Sequence, residues 1–397
     1  MAGTTVQEVK ILHTSDWHLG RTLHGTDMHE HQRAFVDHVV ELVREHAVSA
    51  VLISGDVYDR AIPAVETVQV LEDALGRLSE LTTVIITPGN HDSAVRLGFG
   101  AGLMRDSVRI LASVADLHRP VVLDDGAVEV AVYGLPYLDP ETSRAVLVDE
   151  TGERPARSHE GVIGAAMRRV RDDLASRPGV RSIVMAHAFV VGGEPSDSER
   201  DLSVGGVQSV PSGVFGGVDY VALGHLHGPQ VVPVPGSATV ARYSGSPLAY
   251  SFSERSHHKS TVLLELDVDG PPAVTLVDAP VPRRLTEIRG ELSHVLSGET
   301  DAHLDDWVKI TVTDPTYPAD MHARVRARFA HVLHLTHEPV VGERVGAAPV
   351  VTEAMQPTRV AADFVEFVTA APASEVELDV IQQAYDAVQA ATARADR

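Results

Sequence analysis

This chain of 397 residues contains no cysteine, which excludes disulfides, thiolate nucleophiles and sulfur-ligated zinc. Aromatic residues make up only 5% of it, so aliphatic side chains must build the core. No apolar run approaches the roughly 18 to 20 residues that a membrane-spanning helix needs. The opening "MAGTTVQEVK" lacks a charged segment followed by an apolar one; no secretory signal is visible, and a cytoplasmic location is expected. Internal repeats and low-complexity tracts are absent as well. Basic residues are outnumbered 33 to 55, for a net charge of −22. That balance argues against a protein that coats nucleic acid by bulk electrostatics. It leaves room for a local site where metal ions neutralise phosphates, with a partner supplying much of the affinity.

Short apolar runs ending in polar clusters recur along the first two-thirds: "VKILHTSDWH", "SAVLISGDVYD", "TTVIITPGNHD", "RSIVMAHAF" and "VDYVALGHLH". Between them lie segments with apolar residues at three- and four-residue spacing. In "HQRAFVDHVVELVREHA" the stripe is Phe35, Val39, Leu42 and Val43. Strands alternating with helices predict an α/β domain whose strands are buried on both faces. From about residue 230, "RYSGSPLAYSF", "KSTVLLELDVD" and "PAVTLVDAPV" read as consecutive strands, expected to form a second sheet over the same core.

Four regions follow from these patterns: a main domain over 1–282, a small β-α-β domain over 283–340, a linker over 341–358, and terminal helices over 359–397. In the small domain "RRLTEIRG" and "DDWVKITVTD" read as strands, and "ADMHARVRARFAHVLH" as a helix carrying Arg324, Arg326 and Arg328. Of the terminal helices, one carries Phe364, Phe367 and Val368, the other Leu378, Ile381, Tyr385 and Val388, with Ser374 and Glu377 spaced as a capping box. Such a pair either covers its own domain or docks on another protein.

Each of the five runs ends in groups that bind hard or borderline metals: Asp16 and His18, Asp56, Asn90 with His91, His187, then His225 and His227. Asp16 and His18 stand two apart, a spacing that points both to one side of an extended chain. Loops at the carboxyl ends of α/β strands converge on one crevice. Carboxylate, amide and imidazole donors without sulfur suit manganese, iron or zinc, and seven ligands (the eight groups without His91) exceed what one ion needs and suit two. Two such ions, roughly 3.5–4 Å apart, clamp both oxygens of a phosphoryl displacement. Gly55, Gly89 and Gly224 precede ligand candidates and are expected to let the backbone turn sharply there.

The ordered set D-x-H, "GDVYD", "GNHD", a strand-end His and "GHLH" resembles the calcineurin-like metallophosphoesterase superfamily. The wording "ILHTSDWHLG", "HQRAF", "GDVYDR", "GNHDS" and "YSGSPLAYSF" is similar, more narrowly, to the SbcD-type nuclease subunits of bacterial SbcCD complexes, over nearly the whole chain. The resemblance implies a two-sheet metallophosphoesterase sandwich flanked by helices, then a small α+β capping domain and a C-terminal helical pair. It makes Asp56 a bridging ligand, places Asp16, His18 and His227 on one metal, and places Asn90, His187 and His225 on the other. His91 would stabilise charge or protonate the leaving oxygen, oriented by Asp59, while Arg60 matches a phosphate-binding position. The archaeal and eukaryotic relatives have a His where this chain has Asp59, so His91 is left to act alone if that orientation fails.

By the same resemblance the metal is Mn2+ and the substrate DNA. The activity would be a 3′-to-5′ exonuclease on duplex ends and an endonuclease on hairpins, in repair, recombination and replication. The partner would be an SMC-like ATPase (SbcC), held through residues such as Phe364, Phe367, Ile381 and Tyr385. Homodimers would form through Ala64–Leu81 and Val95–Met104 within a nucleoid-associated heterotetramer, away from any membrane. A phosphatase acting on small phosphate esters or phosphoproteins uses the same metals, and a scaffold without chemistry would have lost ligands. Here every expected position is filled.

Overall fold

The five apolar runs do become strands, but two different sheets share them. The computed structural model describes residues 8–124, 126, 128–199, 209–340, 356–369 and 371–395. It divides into two units, Met1–Arg284 and Leu285–Arg397. In the first unit, β1 (Val9–Thr14), β2 (Ala50–Ser54), β3 (Thr83–Thr87) and β4 (Val108–Ile110) run parallel. A second sheet holds β5 (Val121–Asp124), β6 (Glu129–Leu135), β7 (Arg181–His187), β8 (Tyr220–Gly224), β9 (Gln230–Val232) and β10 (Val240–Tyr243) in the order β5-β6-β7-β8-β10-β9.

The late strands depart from the sequence-based expectation. Strands β11 (Ser260–Leu266) and β12 (Ala273–Asp278) do not build the second sheet; β11 pairs antiparallel with β1 and extends the first. Nor is "RYSGSPLAYSF" a strand beyond Tyr243. Gly245 takes φ +77° and the rest folds as a loop whose Ser244, Ser246 and Tyr250 are drawn into buried hydrogen bonds. Local propensity favoured extended chain there, but tertiary contacts decided otherwise.

Alternation along the strands explains why the runs are apolar throughout. Ile11, Leu52 and Ile85 point inward against Val132, Ile183, Met185 and Ala222 of the facing sheet. Leu12, Val51, Ile53 and Ile86 point outward under α1 (His29–His46) and α2 (Val65–Ser79). On the opposite side Val184, Ala186, Val221 and Leu223 lie under α5 (His159–Leu174). Both faces of the central strands of each sheet are thus buried, at about 1.5–3 kcal/mol for each large aliphatic side chain. Short helices α3 (Ala94–Leu97) and α4 (Pro140–Ser143) follow β3 and β6.

The second unit carries a three-stranded parallel sheet, β13 (Leu285–Gly290), β14 (Trp307–Val312) and β15 (Val332–His337), with helices α6 (Leu292–Val295) and α7 (Met321–Arg328). Helix α7 is shorter than its sequence suggests: Phe329 turns extended and buries itself, and "VLHLTH" becomes β15. Of the three arginines, Arg328 is bound to the Ser297 carbonyl and Asp301 at 2.5 Å each, which leaves Arg324 and Arg326 exposed. Residues 341–355 of the expected linker lie outside the described residues; its last positions already belong to α8 (Pro357–Thr369). Helix α8 packs on α9 (Glu375–Ala395), which opens with the expected box: Glu377 N–H donates to Ser374 Oγ, and Ser374 donates back to Glu377 Oε2. No helix among the described residues is long and apolar enough to cross a membrane.

Candidate metal centre

Beyond Thr14 the chain leaves its strand in an unexpected way. Asp16 and His18 both take left-handed backbone conformations, φ 53° and 44°, so extended-chain alternation is not what aligns them. Asp56 follows suit at φ 46°. Such conformations cost about 1–3 kcal/mol each and persist where surroundings enforce them. Here the loops after β1 and β2 are zipped together: Asp16 N–H donates to the Gly55 carbonyl (3.1 Å), His18 N–H to Asp56 (2.9 Å) and Leu19 N–H to Val57 (2.9 Å). Trp17, between the two, turns into the core against Phe35.

The glycines work differently from expectation too. Gly55 does turn, at φ +81°. Gly89 and Gly224 instead permit close approach. A Cβ on Gly89 would lie 2.2 Å from the Asp56 amide, and one on Gly224 would lie 1.8 Å from the Ser54 carbonyl. Side chains are excluded so that loops from both sheets can meet.

The ends of β1, β2, β3, β7 and β8 bring all seven ligand candidates into one cluster. Asp16, His18 and His227 offer atoms within 4.8 Å of one another, and so do Asp56, His187 and His225. Asp56 Oδ2 stands between the groups, 3.3 Å from His187 Nε2 and 3.7 Å from His18 Nε2. Asn90 Oδ1 lies 2.9 Å from His187 Nε2, and the Nε2 atoms of His18 and His227 are 3.0 Å apart. His225 N–H donates to both oxygens of Asp16, at 3.0 and 3.1 Å.

Burial makes this a costly arrangement without a cation. Asp16, His18, Asp56, His187, His225 and His227 are each 4% exposed or less. Burial pushes the Asp16 carboxyl up to about 6. It would raise Asp56 as well, but the adjoining His187 and His18 imidazoles hold that carboxyl well below the usual range. His18 and His225 are driven well below the ordinary imidazole value by burial, whereas Asp56 overcomes burial at His187 and lifts it to about 9. Buried charges are paired or coordinate metals, and oxygen and imidazole donors facing one another across 3–4 Å fit divalent ions of the hard or borderline kind.

The second group of expected residues lies at the edge of this cluster. His91 Nδ1–H donates to the Asp59 carbonyl at 2.8 Å, and its ring meets His18 edge-on. The Asp59 carboxylate is 4.0 Å from His91 Nδ1, and nearer to His18 Nδ1 and Arg21 Nε (3.7 Å each) and Arg60 Nε (3.6 Å). So the main chain of Asp59 orients His91 more closely than its carboxylate does. Arg60 is 83% exposed and pairs with Asp59. Asp92 is a clamp, accepting from the amides of Val57, Tyr58 and Gly89 at 2.9–3.0 Å and so joining two ligand loops.

Two contributors escape sequence reasoning. Gln32, on the apolar stripe of α1, accepts from Gly20 N–H and donates to the His18 carbonyl, both at 3.0 Å. It stands in the stretch "HQRAF" that carries part of the family resemblance, and as a polar residue at a core position, but neither signal gave it a role. Ser15 donates to Asp16 Oδ2 at 2.5 Å and meets Ser244 Oγ at 2.8 Å; it stands in the stretch "ILHTSDWHLG", which assigned it no role. On the terminal helices, Phe364 is exposed while Phe367, Ile381 and Tyr385 are half-buried.

With this geometry in place, known proteins bear comparison. Residues 9–229, more than half of the chain, match the calcineurin-like phosphoesterase family. Residues 281–369 match a second family, SbcD_C, the type 5 capsule protein repressor C-terminal domain. Among solved structures, TT1561 of Thermus thermophilus is 14% identical, with 69% of this chain and 100% of that one covered at a TM-score of 0.38. A dimetal phosphatase from Danio rerio is 10% identical, with 68% of this chain and 98% of its own covered at 0.37. GAP50, the anchor in the inner membrane complex of Plasmodium, is 9% identical, with 69% and 85% covered at 0.38.

Proposed function

Since this chain belongs to the calcineurin-like phosphoesterase family and pairs that domain with an SbcD-type C-terminal region, we propose that it is the nuclease subunit of a DNA-processing complex. Membership makes it a metal-dependent hydrolase with divalent ions at its His/Asp clusters. The finer reading takes manganese as the metal and DNA as the substrate, cut 3′-to-5′ from duplex ends and internally at hairpins. The match over residues 281–369 supports this most, because a free-standing phosphatase for small esters has no use for an added α+β unit and helical pair.

Asp16, His18 and His227 would hold one ion, and Asn90, His187 and His225 the other, with Asp56 shared between them. Bound ions supply Lewis acidity at the phosphoryl oxygens and bring the pKa of water toward neutrality. His91 is the most exposed imidazole of the cluster, at 9%, and so the one turned toward substrate. Its Nδ1–H is held by the Asp59 carbonyl, so Nε2 is the atom that hands a proton to the leaving oxygen. The Asp59 carboxylate stands 4.0 Å from the His91 ring, and Arg60, exposed at the rim and paired with Asp59, would meet a phosphate there.

We assign two surfaces to protein partners. The α8–α9 pair exposes Phe364, Val368, Leu378 and Val388 and is the seat of an SMC-like ATPase. An apolar groove of about 820 Å³ beside α2 includes Ile62, Val68, Leu71, Phe99 and Met104 in its walls, and is the seat of a second copy of this chain. Leu103, 93% exposed on the same segment, gives the test: Leu103→Glu should shift the sedimenting species from dimer to monomer.

The deciding experiment incubates hairpin and linear duplex DNA with manganese, with and without the co-purified ATPase. Expected is removal of nucleotides from 3′ ends and opening of the hairpin. Hydrolysis of a small phosphate ester with both DNAs left intact in the presence of the ATPase would move the assignment to a small-ester phosphatase.

A further inference from the structure

Behind His227 lies a buried ion pair that none of the motifs contains. Glu254 closes a short turn (Phe252–Glu254) and Lys259 precedes β11; they are 1% and 4% exposed. Glu254 Oε2 pairs with Lys259 Nζ. Removing two charges from water is expensive, and an apolar pair of similar volume is often as stable or more so. A pair retained at that cost invites the question of what it holds.

Besides the Tyr250 amide and the Ser246 hydroxyl, from which Glu254 accepts at 3.0 and 3.3 Å, what the pair touches leads to His227. Glu254 Oε1 lies 3.3 Å from His227 Nδ1 and also accepts from Ser198 Oγ at 2.6 Å, and Ser198 Oγ is itself 2.8 Å from the same Nδ1. Lys259 Nζ donates to the His227 carbonyl at 3.0 Å and to Ser246 Oγ at 2.9 Å. The His227 amide donates to Glu199 Oε1 at 2.8 Å. Ring, carbonyl and amide of one residue are therefore each gripped. His187 differs, since its Nδ1 rests on the Ser54 main-chain carbonyl at 3.1 Å.

We propose that Glu254, anchored by Lys259 and relayed through Ser198, is a positioning residue that keeps the proton of His227 on Nδ1 and so aims the Nε2 lone pair at the metal shared with Asp16 and His18. A carboxylate can only accept, so the ring nitrogen facing it must donate. The opposite nitrogen then serves the metal, and removing such an outer partner typically weakens metal affinity about 10- to 100-fold. The inference rests on the two-metal reading of the site and concerns one of its two ions.

The test uses the full chain, stripped of metal and titrated with Mn2+ while bound ion is counted by electron paramagnetic resonance. The variant is Glu254→Leu combined with Lys259→Met, which removes both buried charges together. Expected are two sites in the wild type and, in the folded variant, one site weakened about 10- to 100-fold with the other unchanged. A folded variant with both affinities within about twofold of wild type would reduce the pair to packing and overturn the proposal. A wild type that binds no Mn2+ would overturn the two-metal reading, and this role with it. Nitrogen-15 spectra of the metal-free wild type, with His227 assigned by its loss in His227→Gln, give an answer independent of how the variant folds. The ring should carry its proton on Nδ1; a proton on Nε2 would overturn the assignment.

Discussion

The two units of this chain differ in what they bury. Met1–Arg284 buries ionisable groups: aspartates, histidines, a glutamate and a lysine crowd the strand ends of a sandwich whose interior is otherwise mainly aliphatic and aromatic. Leu285–Arg397 buries no charged side chain among the described residues; beneath its sheet lie Ile288, Val308, Ile310, Val312, Val325 and Phe329, and its buried polar groups are threonines. Apolar side chains stand exposed on α8 and α9, as they also do on the first unit beside α2, where Phe99 and Leu103 are 84% and 93% exposed. Buried polarity costs stability unless it does chemistry, and exposed apolar surface of this kind marks a place for a partner. Buried ionisable groups thus set the first unit apart as the one that carries the candidate metal centre, and the proposed partner surface on α8 and α9 is the part to test against it.

The sharpest way to break that division is Asp56→Asn. Its carboxylate stands between both ligand groups, so metal binding should fall and phosphodiester hydrolysis drop about a thousandfold or more, several kcal/mol of ion-borne stabilisation being lost. Elemental analysis beside a manganese-dependent hydrolysis assay reads both. Next is His91→Asn, expected to keep the metals but slow cleavage by about 10² to 10⁴, since His91 stands outside the Asp16–His18–His227 and Asp56–His187–His225 groups, although it lies close to His18 and Asp59. Unchanged rates would move the proton donor elsewhere.

On the docking side, a chain ending before Pro357 should no longer co-purify with the ATPase while still cutting simple model substrates at the wild-type rate. Phe364→Ala alone should weaken that complex by about 1–3 kcal/mol in a binding titration.

The smallest effect concerns His13, which is sealed between the sheets against the Tyr220 hydroxyl (3.0 Å) and pushed by burial down to about 3. Its ordinary value is about 6.5. Below that pH the unfolded chain takes a proton that the folded one refuses, so stability is full above pH 6.5 and lost as pH falls toward 3. The loss by pH 5 is about 2 kcal/mol. Urea unfolding of His13→Asn should show a shallower decline between pH 7 and pH 5; parallel curves would remove His13 as a source of acid sensitivity.

Much of the site was legible because its residues sit where the sequence changes texture, at the ends of apolar runs. Asp16, Asp56, Asn90 and His225 each follow a strand directly or within a few residues and His187 ends one, and parallel strands bring such ends together. Less legible was how they are aimed. The two-residue spacing of Asp16 and His18 suggested an extended chain, but left-handed backbone enforced by the neighbouring loop does the aiming. Gly89 and Gly224 turned out to grant approach and not a turn.

By itself, then, the sequence determined which groups are available, that the strands are buried on both faces, and that a helical pair ends the chain. Those features depend on residue type and local periodicity, which are one-dimensional. The tertiary structure alone decided that β11 joins β1 while β10 joins β8, that Gln32 of α1 holds the loop of His18, and that Glu254 and Lys259 stand behind His227. These contacts join residues 14 to over 250 positions apart, and no local signal records them.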